Sequence, residues 1–312
     1  MSKVLITGGA GFIGRAVTKK LADEGLDVVT FDLREPVKLI GRHITGTIMY
    51  TDELQKAMKG CDYVVHLAAM LGVQNTETNR TGCLEVNNEG TRNVFEACLK
   101  AKVKKIVFAS SSEVYGEPYH NPVSEKEPVM PKSIYAVTKL TGEEYARAYK
   151  EEFGLDFVIT RFFNAYGPGQ LPKFVMPRYI QSVINNERPT VFGAGTQSRC
   201  FCHVDDTAQG VFLALTKPAA VGQTFNIGND KTEISMADLA RKVIKISGRK
   251  LEPLYVKMKD SDRTEAREIM KRTVDISKAR KVLGFKPTIG LDEGIKNILM
   301  SEGYVFPKNK KS

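Results

Sequence analysis

Lys3-Val-Leu-Ile-Thr7-Gly8-Gly-Ala-Gly11-Phe-Ile-Gly14 decides the fold of this chain. Its first five residues read as a short buried strand, and three glycines at three-residue spacing follow at once. From Arg15 to Glu24 the apolar residues Ala16, Val17 and Leu21 fall at helical spacing, and Gly25 ends the helix. Strand, glycine loop, helix is the context in which a glycine pattern marks a dinucleotide site. Gly8, Gly11 and Gly14 let the backbone approach a pyrophosphate seated at the helix N-terminus, where the dipole favours an anion. The spacing is Gly-x-x-Gly-x-x-Gly, not the tighter Gly-x-Gly-x-x-Gly. A second strand, Asp27 to Phe31, ends in Asp32, placed for the adenosine ribose hydroxyls. That carboxylate would repel a 2′-phosphate and so favours NAD over NADP, although Arg34 nearby pulls the other way.

The same alternation continues to about residue 165. Tyr63 to Leu67, Lys105 to Ser110 and Asp156 to Arg161 read as strands, Gly90 to Lys100 and Ser133 to Phe153 as helices. Strands alternating with helices predict a parallel sheet with ligands at the carboxyl ends of its strands. Ser111 falls just past such an end.

Tyr135-Ala-Val-Thr-Lys139 lies on the second of those helices. A Tyr and a Lys four apart share one face, which brings the ammonium toward the phenol. A free Tyr has a pKa of about 10, and service as a base near neutrality needs a shift of roughly 3 units, about 4 kcal/mol. An adjacent Lys and a cationic nicotinamide are charges of the sign that supplies it. With Ser111 holding the same substrate oxygen, the trio predicts proton removal from a hydroxyl coupled to hydride transfer.

These residues carry a resemblance. TGGAGFIG (Thr7 to Gly14), HLAA (His66 to Ala69), VNNEGT (Val86 to Thr91), SSSEVYG (Ser110 to Gly116), YAVTK (Tyr135 to Lys139) and RFFNAYGPG (Arg161 to Gly169) come first. VFGAG (Val191 to Gly195), RCFCHVDD (Arg199 to Asp206) and FNIG (Phe225 to Gly228) follow. In this order they resemble the extended short-chain dehydrogenases/reductases, in the branch of NAD-dependent nucleotide-sugar epimerases and dehydratases. The resemblance implies a Rossmann-type, doubly wound parallel α/β sheet with a smaller α/β C-terminal domain that grips a nucleoside diphosphate sugar. It places the NAD-binding domain at 1–165, with 201–228 largely returning to it, and the interleaved sugar-nucleotide domain at 166–312. For NAD it implies Gly8, Gly11, Phe12, Ile13, Gly14, Asp32, Leu33, Ile48, Leu67, Ala68, Ala69, Asn87, Tyr135, Lys139 and Phe162. For the substrate it implies Ser111, Ser112, Asn164, Val175, Val191, Phe192, Arg199, Phe201 and one more arginine, with Arg272 preferred over Arg263 and Arg267. Asn164 and Arg199 would hold the diphosphate, and Val191 and Phe192 would pack on a uracil-type base.

The activity so implied is 4-epimerisation of the UDP-glucose/UDP-galactose type, through a 4-keto sugar that turns over before re-reduction. Four departures from the family pattern bear on it: Thr47 for an Asp beside the adenine, Phe174 for an Asn at the diphosphate, Cys200 for an Asp, and Ser112-Glu113 for the Asp-Glu of 4,6-dehydratases. Glu113 therefore opens an alternative: a lyase, dehydratase or uronate decarboxylase, with Glu113 catalytic. A cofactor-sensing protein without catalysis is a third reading, opposed by the survival of Ser111, Tyr135 and Lys139. The helices at Gly90 and Ser133 resemble those that pair in family homodimers.

Composition sets the bounds. A chain of 312 residues can bury a full α/β core and a second lobe. No stretch approaches the roughly 20 apolar residues of a membrane span, and no signal sequence opens the chain, so a cytoplasmic enzyme with no membrane partner is expected. Five scattered cysteines argue against a disulfide framework, and Cys200-x-Cys202 lacks the second pair that zinc would need. The net charge of +10 is spread along the chain without a nucleic-acid module; it reads as a solvated surface whose field attracts an anionic substrate.

Overall fold

The strands read from the sequence assemble into one sheet because their central residues are apolar and buried on both faces. In the computed structural model, which describes residues 1–71, 78–258 and 269–307, seven parallel strands line up in the order β3-β2-β1-β4-β5-β6-β11. They are β1 (Lys3–Thr7), β2 (Asp27–Asp32), β3 (Arg42–Thr45), β4 (Tyr63–His66), β5 (Lys105–Ser111), β6 (Asp156–Phe162) and β11 (Gln223–Ile227). Alternate residues go to opposite faces, and both faces are covered, which is why the strands carry continuous apolar runs rather than a two-residue alternation. Val4, Ile6, Val107 and Val158 meet helices α1 (Phe12–Asp23) and α7 (Val204–Thr216) on one side. Leu5, Ile106, Phe108 and Ile159 meet α2 (Thr51–Met58), α4 (Gly90–Lys100) and α5 (Ile134–Phe153) on the other.

A short helix α3 (Arg80–Leu84) runs through a π-helical turn, Glu85–Glu89, into α4. The lobe has its own core, in which α6 (Val175–Ile184), α8 (Met236–Ser247) and α10 (Leu291–Ser301) bury Tyr179, Ile180, Leu239, Val243 and Ile295. Small sheets flank it: β7 (Ala165–Tyr166) with β10 (Cys202–His203), β8 (Thr190–Phe192) with β13 (Leu254–Val256), and β9 (Ser198–Cys200) between β12 (Glu233–Ser235) and β14 (Lys271–Arg272).

Two boundaries differ from the sequence reading. Helix α1 starts at Phe12 rather than Arg15, so the glycine loop is only four residues long, and β5 extends through Ser111, which pairs with Phe162. The weave is also tighter than expected. Val274, Ile276, Leu283 and Phe285, around helix α9 (Ser277–Leu283), pack in the same core as Phe225 and Ile227 of β11 instead of returning to the lobe. Asn226 fixes this segment by donating Nδ2–H to the carbonyls of Val123 and Asp275, at 3.0 and 3.3 Å.

Candidate active site

The glycine loop turns where β1 ends. Gly8 adopts φ +72°, which an L side chain resists, and its N–H donates to Phe31 O. A Cβ on Gly14 would overlap the Gly8 carbonyl oxygen, so strand and helix meet backbone to backbone. Asp32 stands across the turn, its Oδ2 accepting from Ala10 N at 3.1 Å and its Oδ1 from Arg34 N at 3.2 Å. A side-chain-free cradle, a helix start without a side-chain cap and a carboxylate on the next strand fit an adenine dinucleotide. Phe12 and Ile13 are half-buried on the first turn, Leu33 is exposed beside Asp32, and Ile48 is buried against Gly90. Asn93 holds that last loop by donating to the carbonyls of Ile48 and Met49. Thr47 turns inward, its N–H bound to Glu53 and its hydroxyl accepting from Met49 N.

The loop after β4, carrying Leu67, Ala68 and Ala69, is anchored from both ends. Ala68 N–H donates to Thr7 Oγ1, and Asn87, on the π-helical turn, exchanges bonds with both backbone groups of Met70. Asn87 also donates to Thr138 Oγ1 on α5 at 3.0 Å, tying this loop to the helix of Tyr135 and Lys139. Beneath it the fully buried His66 ring lies between Thr7 Oγ1 at 2.7 Å and Thr91 Oγ1 at 3.1 Å. Burial, then the charge of Lys139, pulls its pKa from 6.5 to about 3. Between those values the unfolded chain takes up a proton that the folded ring refuses. The stability that His66 contributes is therefore full above pH 6.5 and is lost as pH falls toward 3, by roughly 1.4 kcal/mol per unit. Urea midpoints measured from pH 7 to pH 4 should show that slope, and His66→Gln should flatten it.

Ser111, Tyr135, Lys139 and Glu113 converge at the carboxyl end of β5. Ser133 caps α5, its Oγ accepting from Ala136 N at 3.1 Å and donating to Glu113 Oε2 at 3.1 Å. Glu113 N–H in turn donates to Ser111 Oγ at 3.2 Å, so the turn Ser112–Tyr115 and the start of α5 are stitched together. Ser112 itself is buried. Lys139 Nζ lies 5.7 Å from the Tyr135 ring centroid and 5.2 Å from that of Phe108. Burial brings its ammonium down to about 8. The sequence reading has Lys139 and a cationic nicotinamide together easing ionisation of Tyr135; the surroundings of the phenol in the protein alone push the other way. Burial, then the carboxylate of Glu113, hold the phenol above its ordinary range. Positive charge arriving with a ligand would favour ionisation of this phenol.

Behind this group lies a buried polar network that the sequence reading missed. Glu143, one turn beyond Lys139, is fully buried; its Oε1 accepts from Ser110 Oγ at 2.6 Å and Arg161 Nε at 2.8 Å, its Oε2 from Arg161 Nη2 at 2.6 Å. Arg161 Nη1 donates to Tyr115 Oη, which donates to Asn226 Oδ1 at 2.7 Å. Residues 135, 139 and 143 share one helical face, and that i, i+4, i+8 series was the available signal. Cys83 was missed as well: its buried thiol accepts from Asn87 Nδ2 at 3.5 Å and lies within the fields of Lys139 and Tyr135.

The lobe side is assembled from separate strands. Asn164, at φ +37°, donates Nδ2–H to Cys200 O at 2.8 Å. Cys200 is buried and its thiol is pushed up to about 11, as suits a packing residue. Arg199 on β9 and Arg272 on β14 are buried and face each other across parallel strands. Arg199 Nη2 donates to Ile269 O at 2.6 Å and Nη1 to Ser198 O at 2.8 Å. Arg263 and Arg267 lie outside the described residues. Val191 and Phe201 are core residues of the lobe, so their side chains face protein. Phe192 carries the Arg178 guanidinium 5.2 Å from its ring centroid, and Val175 opens α6. Phe162, half-buried, ends β6 opposite Ser111.

Residues 4–228 match the model of a family described as the NAD dependent epimerase/dehydratase family. The UDP-glucose 4-epimerase of Thermotoga maritima, solved with UDP-glucose, superposes with a TM-score of 0.89 at 29% identity, over 96% of this chain and 98% of its own. The UDP-glucuronic acid 4-epimerase of Bacillus cereus, solved with UDP-glucuronic acid and NAD, gives a TM-score of 0.87 at 32% identity, over 96% and 98%. A UDP-N-acetyl-alpha-D-glucosaminuronate decarboxylase of Bacillus cytotoxicus is 30% identical over 314 residues, 95% of this chain and 96% of the relative.

Proposed function

The chain belongs to the NAD-dependent epimerase/dehydratase family, whose cofactor is NAD, and from that premise we propose that it is a 4-epimerase of nucleotide sugars, of the UDP-glucose/UDP-galactose type. One observation carries the choice of reaction. The Glu113 carboxylate receives the Ser133 hydroxyl that caps α5, and its neighbour Ser112 is a buried hydroxyl where elimination needs an acid. Glu113 is then a brace for the helix rather than a base for C5.

Bound NAD would supply a reversible hydride acceptor for C4 of the sugar, held by the glycine loop, Asp32 and Lys139. Tyr135 removes the proton from the C4 hydroxyl, and Ser111 donates a hydrogen bond to the same oxygen. Lys139 holds the cofactor ribose and keeps positive charge beside Tyr135. Arg199, Arg272 and Asn164 hold the diphosphate, with Phe192 toward the base, so the keto sugar can turn while its anchor stays fixed. The Rossmann half to about residue 165 and the lobe beyond it thus divide cofactor from substrate. The setting we propose is a cytoplasmic homodimer through α4 and α5, where Val137 and Phe153 are exposed on α5.

A second reading keeps one observation in its favour: the negative charge of Glu113 acts on Tyr135, so its carboxylate is near the chemistry. An NMR time course of the purified protein with NAD and UDP-glucose, UDP-N-acetylglucosamine or UDP-glucuronate separates the two. The C4 epimer, formed with no added reductant, is the expected product; a 4-keto-6-deoxy sugar or carbon dioxide would move the assignment to a lyase. Glu113→Gln should keep epimerisation within about threefold, whereas loss of a general base costs about 10²–10⁴.

A further inference from the structure

Segment 169–174 leaves the lobe and is tied down at two places on the sheet domain. Arg15, on the first turn of α1, donates from Nη2 to Gly169 O at 3.0 Å. Lys173 donates from Nζ to Leu71 O, in the loop after β4, at 3.2 Å. Lys173 also lies in the field of Arg34, in the loop after β2. The segment is thus tied to the first turn of α1 and to the loop after β4, whose Leu67 and Ala68 backbone packs against Gly8, so it borders the glycine loop.

We propose that Lys173 is a cofactor-binding residue supplied by the lobe, its ammonium pairing with the phosphate oxygens of bound NAD while segment 169–174 straps the dinucleotide into its cleft. The local charge supports an anionic ligand here. Burial and the like charge of Arg34 hold the Lys173 ammonium below the usual lysine range, a penalty that an anion between the two cations reverses. Arg15, on the first turn of α1, brings a further cation to the same strap segment. A strap of this kind serves any reaction in which reduced cofactor must not escape before it is reoxidised, so the inference stands whether the enzyme is an epimerase or a lyase.

The test uses the full-length protein loaded with NADH, whose fluorescence follows dissociation into an excess of NAD. Lys173→Ala should release NADH about tenfold faster, as expected for loss of one charge-assisted hydrogen bond. Lys173→Arg should restore slow release, and the release rate of the alanine variant should respond less steeply to salt. UDP binding, measured by calorimetry on the same samples, should be unchanged. Release within about twofold of the parent protein in Lys173→Ala would overturn the proposal. So would weakened UDP binding with unaltered NADH release, which would assign Lys173 to the substrate diphosphate instead.

Discussion

Tyr135→Phe should lower kcat for epimerisation by about 10²–10⁴, with KM and NAD binding little changed. The substitution removes one oxygen and keeps the ring that stands 5.7 Å from the Lys139 ammonium, so the packing of α5 against β5 survives. What it removes is the only phenol in the group formed by Ser111, Glu113 and Lys139. In the protein alone that phenol is held above its ordinary range by burial and by Glu113. Its service as a base therefore depends on positive charge delivered by the bound cofactor and kept nearby by Lys139. The pH profile should show this dependence: activity rises with pH as Tyr135 ionises in the loaded enzyme, and Lys139→Met should move that rise to higher pH. A Tyr135→Phe enzyme that kept kcat within tenfold would remove Tyr135 from the mechanism.

The second large effect concerns stability. Glu143→Ala should lower the free energy of unfolding by roughly 3–5 kcal/mol, because it leaves the Arg161 guanidinium buried without its counter-charge. The Arg161 and Glu143 side chains are 5% and 0% exposed, so water cannot replace the lost bonds. Stabilities of whole domains are only about 5–15 kcal/mol, so the variant should sit close to unfolding at 37 °C. The double replacement Glu143→Met with Arg161→Met should recover much of the loss, since it removes both charges together. Urea unfolding of the three variants checks the ordering. A double variant no more stable than Glu143→Ala would show that the network works through shape and not through charge.

Much of the architecture was legible because parallel strands and glycine loops leave strong local patterns. The strands at Lys3, Tyr63, Lys105 and Asp156 start where the apolar runs predicted, and the helix of Tyr135 starts at its Ser133 cap. The glycine loop, Asp32 and the Tyr135–Lys139 pair came from spacing along short stretches, and Ser111 from its place at a strand end. Less legible was everything that depends on contacts between distant segments. Arg161 and Glu143 are 18 residues apart and Tyr115 and Asn226 are 111 apart, and nothing in the spacing announces either pair. The surroundings of Tyr135 were hidden for the same reason: the i, i+4 relation gives the proximity of Lys139, but burial of the phenol and the nearness of Glu113 depend on segments brought in from elsewhere.

The packing of residues 274–285 on β11 has a consequence for how the protein is made. On a ribosome, all seven strands of the sheet have been synthesised once Ile227 emerges, yet Phe225 and Ile227 keep one flank open until a segment near the end of the chain arrives. The nascent chain therefore carries an uncapped hydrophobic seam while residues 228–273, including α8 of the lobe, are made. A gene fragment cut at the apparent end of the nucleotide-binding half would keep that seam permanently, which makes the two halves inseparable as units of expression.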